Sequence, residues 1–153
     1  MYDYDRRTAA SRLLAHADEY QRVMSSLTQD VVKKTVTLIS SALRLADKAL
    51  HGLKFNEDAS VHDELEEVEK PLSSLARWMV SRREAEAEPV AKFAKLTAEL
   101  AELTKFWNRP VFLNKAKHTE KVESIYQQMQ RLKRDIMAAF RLSGAWKPAS
   151  PAF

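Results

Sequence analysis

Four histidines, His16, His51, His62 and His118, are the side chains best suited to metal or acid–base chemistry in a chain that has no cysteine. A di-iron helical bundle needs a glutamate three residues ahead of a histidine on each of two helices. Here those positions hold Leu13, Lys48, Ala59 and Lys115, so that motif is missing. The best metal-like set is Asp58, His62, Glu66 and Glu69, which fall along one edge of a single helical segment. One helix rarely closes a metal site, and a solvated acidic edge is the preferred reading. No metal and no cofactor is expected.

Nucleophilic and phosphate chemistry find no better support. Two isolated glycines, Gly52 and Gly144, cannot build a glycine-rich phosphate loop, and neither a nucleophile elbow nor an HExxH pair occurs. Without cysteine there are no disulfides, thiolate ligands or Cys–His pairs. The chain is expected not to be an enzyme.

Binding chemistry is better represented. No acid occurs between Glu102 and Glu120, whereas Lys105, Arg109, Lys115 and Lys117 do, with Phe106, Trp107 and Phe112 interleaved and Lys121 just beyond. Basic groups neutralise phosphates and aromatic rings stack on bases, so this corner is a candidate nucleic-acid or anion site. The plainer reading is that the aromatics close one end of a helical bundle and the lysines solvate it. Trp146 and Phe153, in the tail "AWKPASPAF", are candidate docking groups for a protein partner.

Charge is unevenly spread. Residues 1–104 hold 15 basic and 18 acidic side chains, and residues 105–153 hold 10 and 3. The acids concentrate at 57–70, where Glu64, Glu66, Glu67 and Glu69 form a patch. Such asymmetry points to a polyanion partner or to pairing of the two regions, within a chain or between subunits.

The elements that must position these groups are helices. With two glycines and five prolines among 153 residues, the chain lacks the turn residues an all-β fold needs. We therefore expect an all-α protein, an antiparallel bundle of four or five helices with coiled-coil-like seams of alternating four- and three-residue steps. Residues 1–143 form the single domain of that reading, and 144–153 a flexible tail.

The first helix is expected from an Asp5 cap to about Ser25, with Leu13, Ala17, Tyr20, Met24 and Leu27 on one stripe, and a break at "SSLTQD", where the lack of Gly or Pro leaves one continuous long helix as the alternative. A second helix follows from about Gln29 to His51, stopped by Gly52. It carries two adjacent seams, one through Val32, Val36, Ile39, Leu43, Ala46, Leu50 and Leu53, the other through Val31, Thr35, Leu38, Ala42, Leu45 and Ala49. Ser60 with Asp63 reads as the cap of a third helix, which runs through Val61, Leu65, Val68, Leu72, Leu75 and Met79 to about Glu86, kinked at Pro71. Pro89 suits the first position of a fourth, with a seam through Val90, Phe93, Leu96, Leu100, Leu103 and Trp107.

The last helix is expected from Asn114 or Thr119 to Ser143, ended by Gly144. At about 100° per residue, Val122, Ile125, Ile136 and Phe140 cluster around Met129. Arg131, Arg134 and Arg141 point outward, but Glu120 and Glu123 share their side. A helix reading a nucleic-acid groove would show a coherent basic face, so this one is read as a core helix.

The first residues lack the apolar core of a signal peptide, and no apolar run approaches the roughly 18 residues of a membrane span. A cytoplasmic protein is expected. The function that fits is non-enzymatic, an assembly, adaptor or regulatory bundle working through protein contacts and self-association. The alternative is a nucleic-acid-binding module that uses residues 105–121 and the last helix.

Overall fold

The computed structural model describes residues 2–58, 60–105 and 115–142, with side chains from Gln29 onward. They form four helices and, among the described residues, no strand: α1 (Tyr2–Phe55), α2 (His62–Ser81), α3 (Ala87–Thr104) and α4 (Lys115–Leu142). The helix–helix contacts are those of a bundle. α2 and α3 pack most extensively, α1 lies against α2 and α4, α3 lies against α4, and α1 meets α3 only slightly. That order places α1 and α3 on a diagonal. The start of α2 touches the end of α3 through His62 and Ala101, so the two run antiparallel. Lys54, near the end of α1, pairs with Glu123, near the start of α4.

Several expected boundaries are corrected. The break at "SSLTQD" does not occur, because α1 passes through it as one helix of 54 residues. Ser and Thr favour caps, but with no Gly or Pro nearby nothing there forces the backbone out of helical geometry. Gly52 does not stop α1 either. The helix reaches Phe55 and ends where Asn56 takes φ 54°, while the Glu57 N–H bonds back to the Gly52 carbonyl at 3.0 Å. This is the six-to-one bond of a Schellman ending, with asparagine in the left-handed position.

The Ser60 cap is also replaced. Val61 occupies the cap position with no side-chain hydrogen bond, and the Ser60 N–H donates to Asp58 Oδ1 at 2.9 Å. α2 continues through Pro71 and ends at Ser81, short of Glu86. Its ending is a full Schellman motif: Arg83 takes φ 55°, its N–H bonds to Val80 O, and the Glu84 N–H bonds to Met79 O. Pro89 stands third in α3, still within the first turn, where no helical partner for its nitrogen is needed.

The buried stripe of α1 is Val32, Thr35, Ile39, Ala42, Ala46, Ala49 and Leu53, which takes members alternately from the two expected seams. Three fully buried alanines in that stripe let neighbouring helices approach closely. In α3 the buried line runs through Val90, Phe93, Thr97, Leu100 and Thr104, and Leu96 and Leu103 move to its half-buried margin. The threonines tolerate burial because Thr97 Oγ1 donates to Phe93 O at 2.9 Å and Thr104 Oγ1 to Ala101 O at 3.0 Å. Thr35 does the same with Val31 O. In α4, Val122, Ile125, Met129, Ile136 and Phe140 are all buried, as the periodicity predicts.

Candidate functional site

The C-terminal end of α3 is a point where α2 and α4 meet it. α3 has no basic residue in its last turn to answer the negative end of its dipole. Histidines from both neighbours reach it instead. His62, the first residue of α2, has Nδ1 2.6 Å from the Ala101 carbonyl oxygen. A carbonyl only accepts, so Nδ1 carries the proton. His118, in the second turn of α4, makes a hydrogen bond to the Leu103 backbone. Burial lowers the His118 imidazole below its ordinary value, the bond to Leu103 opposes this, and the nearby Lys121 charge lowers it further.

His62 also belongs to the best metal-like set of the described residues. Its Nε2 lies 3.2 Å from Glu66 Oε1, and His62, Asp63 and Glu66 can bring one ligand atom each within 4.8 Å of one another. The set expected from sequence is thereby corrected. Asp58 is engaged by the Ser60 N–H, and Glu69 accepts a hydrogen bond from Ser73. Asp63 takes their place because the first helical turn brings it beside His62. Both carboxylates are exposed, which leaves the set an ordinary acidic edge at the start of a helix.

Glu64 and Glu67 line a groove of about 420 Å³ between α2 and α1, opposite Arg44 and Lys48. The histidine contacts of the acidic block are local: His51 Nε2 lies 3.2 Å from Glu57 Oε2, and His62 Nε2 lies beside Glu66 Oε1. The pair that joins α1 to the C-terminal helix has the reverse polarity: Lys54 of α1 lies 3.3 Å from Glu123 of α4. Both side chains are about two-fifths exposed (43% and 41%), so the pair is worth at most about 1 kcal/mol.

Of the basic corner, Lys115 and Lys117 occupy the first turn of α4, which contains no acid. Lys105 follows the end of α3 and is exposed. Arg109, with Phe106, Trp107 and Phe112, lies outside the described residues, as do Trp146, Phe153 and the rest of the tail. Lys121 instead lines a groove between α3 and α4.

That groove was not legible from the sequence. One part, about 430 Å³, is lined by Glu99, Glu102, Leu103, Lys121, Ser124 and Ile125. A second part, about 390 Å³, lies further along the same two helices and shares Glu99 with the first. There Lys92, Lys95 and Leu96 face Gln128, Arg131, Leu132 and Asp135. The signal in the sequence is the seven-residue spacing of Leu96 and Leu103, which reads equally as part of the core seam.

Compared with models of known families, with curated proteins and with solved structures, the chain matches none. Among the described residues, no helix is long and apolar enough to cross a membrane.

Proposed function

We propose that this chain is a non-enzymatic helical interaction protein, an assembly, adaptor or regulatory bundle of the cytoplasm that associates with itself. The observation that carries the reading is the length of α1. At 54 residues it is nearly twice as long as α4, the next longest helix, at 28. A long helix whose sequence places Leu13, Ala17, Tyr20, Met24 and Leu27 at three- and four-residue steps can pair with a second chain. The three- and four-residue steps between buried positions on α1 and α3 fit coiled-coil-like packing, which belongs to the same proposal.

The test is molar mass by light scattering over a range of protein concentrations and at low and high salt. A dimer or higher oligomer supports the reading. A monomer at every concentration rejects it.

A second reading has one observation in its favour. Lys115 and Lys117 lie in the first turn of α4, at the positive end of its dipole, where a helix attracts anions. In this alternative the corner of Lys105, Lys115, Lys117 and Lys121 binds nucleic acid through phosphates. Adding a mixed-sequence duplex to the scattering experiment separates the two. Phosphate contacts make binding fall steeply with salt, whereas association through apolar seams does not.

A further inference from the structure

Self-association, on which this inference rests, needs a face that fits a second copy of itself. The outer face of α3 and α4 has the required pattern. Its floor is apolar, with Leu96 and Leu103 one heptad apart on α3 and Ile125 and Leu132 one heptad apart on α4. Leu96, Leu103 and Leu132 are only half-buried, so a covering surface completes their burial. The two helices run antiparallel. Glu99 and Glu102 of α3 share one part of the groove with Lys121 and Ser124 of α4, and Lys92 and Lys95 share the other with Arg131 and Asp135. Those neighbours set Thr97 level with Gln128 to within about one residue, or 1.5 Å.

The rim charges are placed symmetrically about that level. On α3, Lys95 and Glu99 lie two residues either side of Thr97, and Lys92 and Glu102 lie five either side. On α4, Lys121 and Asp135 lie seven either side of Gln128. Consider a two-fold axis in the plane of the face, perpendicular to the helices and crossing them at Thr97 and Gln128. It lays α3 antiparallel on α3 of the second copy, and α4 on α4. Lys95 then stands opposite Glu99, Lys92 opposite Glu102 and Lys121 opposite Asp135, and the symmetry makes each pair twice.

The other charges along the face fit the same axis. Lys92 touches Glu88 of its own helix at 3.1 Å, and both side chains are exposed, so Glu102 of the second copy adds to that pair without displacing it. Glu88 itself is level with residue 106, which lies outside the described residues. Arg131 is level with Ile125 and Lys117 with Ala139, neither of them charged. A two-fold axis running along the helices would instead lay α3 on α4. It would put Lys95 opposite Arg131, a like-charge contact that the perpendicular axis avoids.

We propose that this chain forms a two-fold dimer through its α3–α4 face, with Leu96 and Gln128 beside the axis and Lys92, Lys95 and Lys121 paired with Glu102, Glu99 and Asp135 of the second copy. The apolar floor supplies the association, and the exposed ion pairs at the rim select the axis.

Reversing one charge at a time tests the arrangement. Lys95→Glu and Glu99→Lys each set like charges opposite one another, and each should raise the dimer dissociation constant by about tenfold or more in light scattering. An equal mixture of the two variants restores opposite charges at both places and should dimerise about as tightly as the unaltered chain. Repulsion within a single helix cannot produce that recovery, because mixing leaves each helix as it was. Circular dichroism checks that both variants keep their helices.

The absence of cysteine adds a second readout. Gln128→Cys, an exposed position beside the axis, should form a disulfide between copies under mild oxidation. Gln130→Cys, exposed but turned about 160° away around α4, should not. A dimer that ignores both charge reversals and leaves Gln128→Cys reduced overturns this face and leaves self-association to α1. Gln128→Cys chains that cross-link only to Ala98→Cys chains place the axis along the helices and overturn the arrangement. A monomer at every concentration overturns self-association itself.

Discussion

The imidazole of His62 and the carbonyl of Ala101 are 39 residues apart in sequence and 2.6 Å apart in space. The same carbonyl accepts the Lys105 N–H at 3.1 Å and the Thr104 hydroxyl at 3.0 Å. One oxygen in the last turn of α3 thus gathers three donors, one of them from the first residue of α2. The bond fixes how far α2 and α3 can slide past each other, and so the register of the most extensively packed pair in the fold.

His62→Ala removes the donor that comes from outside α3 and leaves the two local ones. The expected loss is about 1 kcal/mol of unfolding free energy, because the abandoned carbonyl keeps other partners. Urea denaturation measures it. An unchanged midpoint would show that the bond does not contribute to register or stability.

Arg83 sits at φ 55° with an exposed side chain, a position that a residue with a Cβ occupies at a cost. Arg83→Gly should raise stability by up to about 1 kcal/mol, since the Schellman bonds are made by the backbone. Asn56→Gly should gain less, because asparagine tolerates the left-handed region better than arginine does. If thermal melting showed the two substitutions reversed in order, this account of the turns would be wrong.

His118 gives the fold a pH dependence of determinate sign. Its pKa in the folded state is lowered from 6.5, chiefly by burial. As pH falls through that unfolded value the unfolded chain takes up the proton first, so stability declines on acidification from neutral pH. His118→Gln should flatten that part of the profile. Urea midpoints of both proteins at about pH 7.5 and 5.5, bracketing the ordinary imidazole value, supply the comparison, and parallel curves would remove His118 as the cause.

Glu86, the N-cap residue of α3, is only 3% exposed, and among the described residues its Oε1 has no hydrogen-bond partner. A carboxylate at a helix N-terminus is favoured by about 0.3–1 kcal/mol. An unsatisfied buried oxygen costs about 1–3 kcal/mol, so the cost prevails. Glu86→Met, close in volume, should therefore stabilise the protein by about 1 kcal/mol, read from the urea midpoint. A destabilised variant would mean that the carboxylate makes a favourable interaction.

Phe93, fully buried in α3, is the reference point for the core. Phe93→Ala should cost about 3–5 kcal/mol, beyond any of the changes above. Its denaturation midpoint relative to that of His62→Ala checks that packing outweighs any single polar bond here.

By itself the sequence determined that the chain is helical, and it determined the inward face of α4. Both follow from short-range physics: few breakers, and apolar residues at the helical period around Met129. It also located the acidic edge at 57–70. What it misplaced depended on competition between local signals. Gly52 reads as a stop, yet tertiary packing keeps it buried inside α1 and moves the left-handed turn to Asn56. Thr97 and Thr104 read as polar, yet their backbone hydrogen bonds let them replace Leu96 and Leu103 on the core line. Only the tertiary structure brought His62 to Ala101, narrowed the metal-like set to His62, Asp63 and Glu66, and opened the groove between α3 and α4. The His62–Ala101 bond and the α3–α4 groove join residues whose separation along the chain carries no periodic trace. They exist because close packing of neighbouring helices selects one register among many that the helical period alone allows.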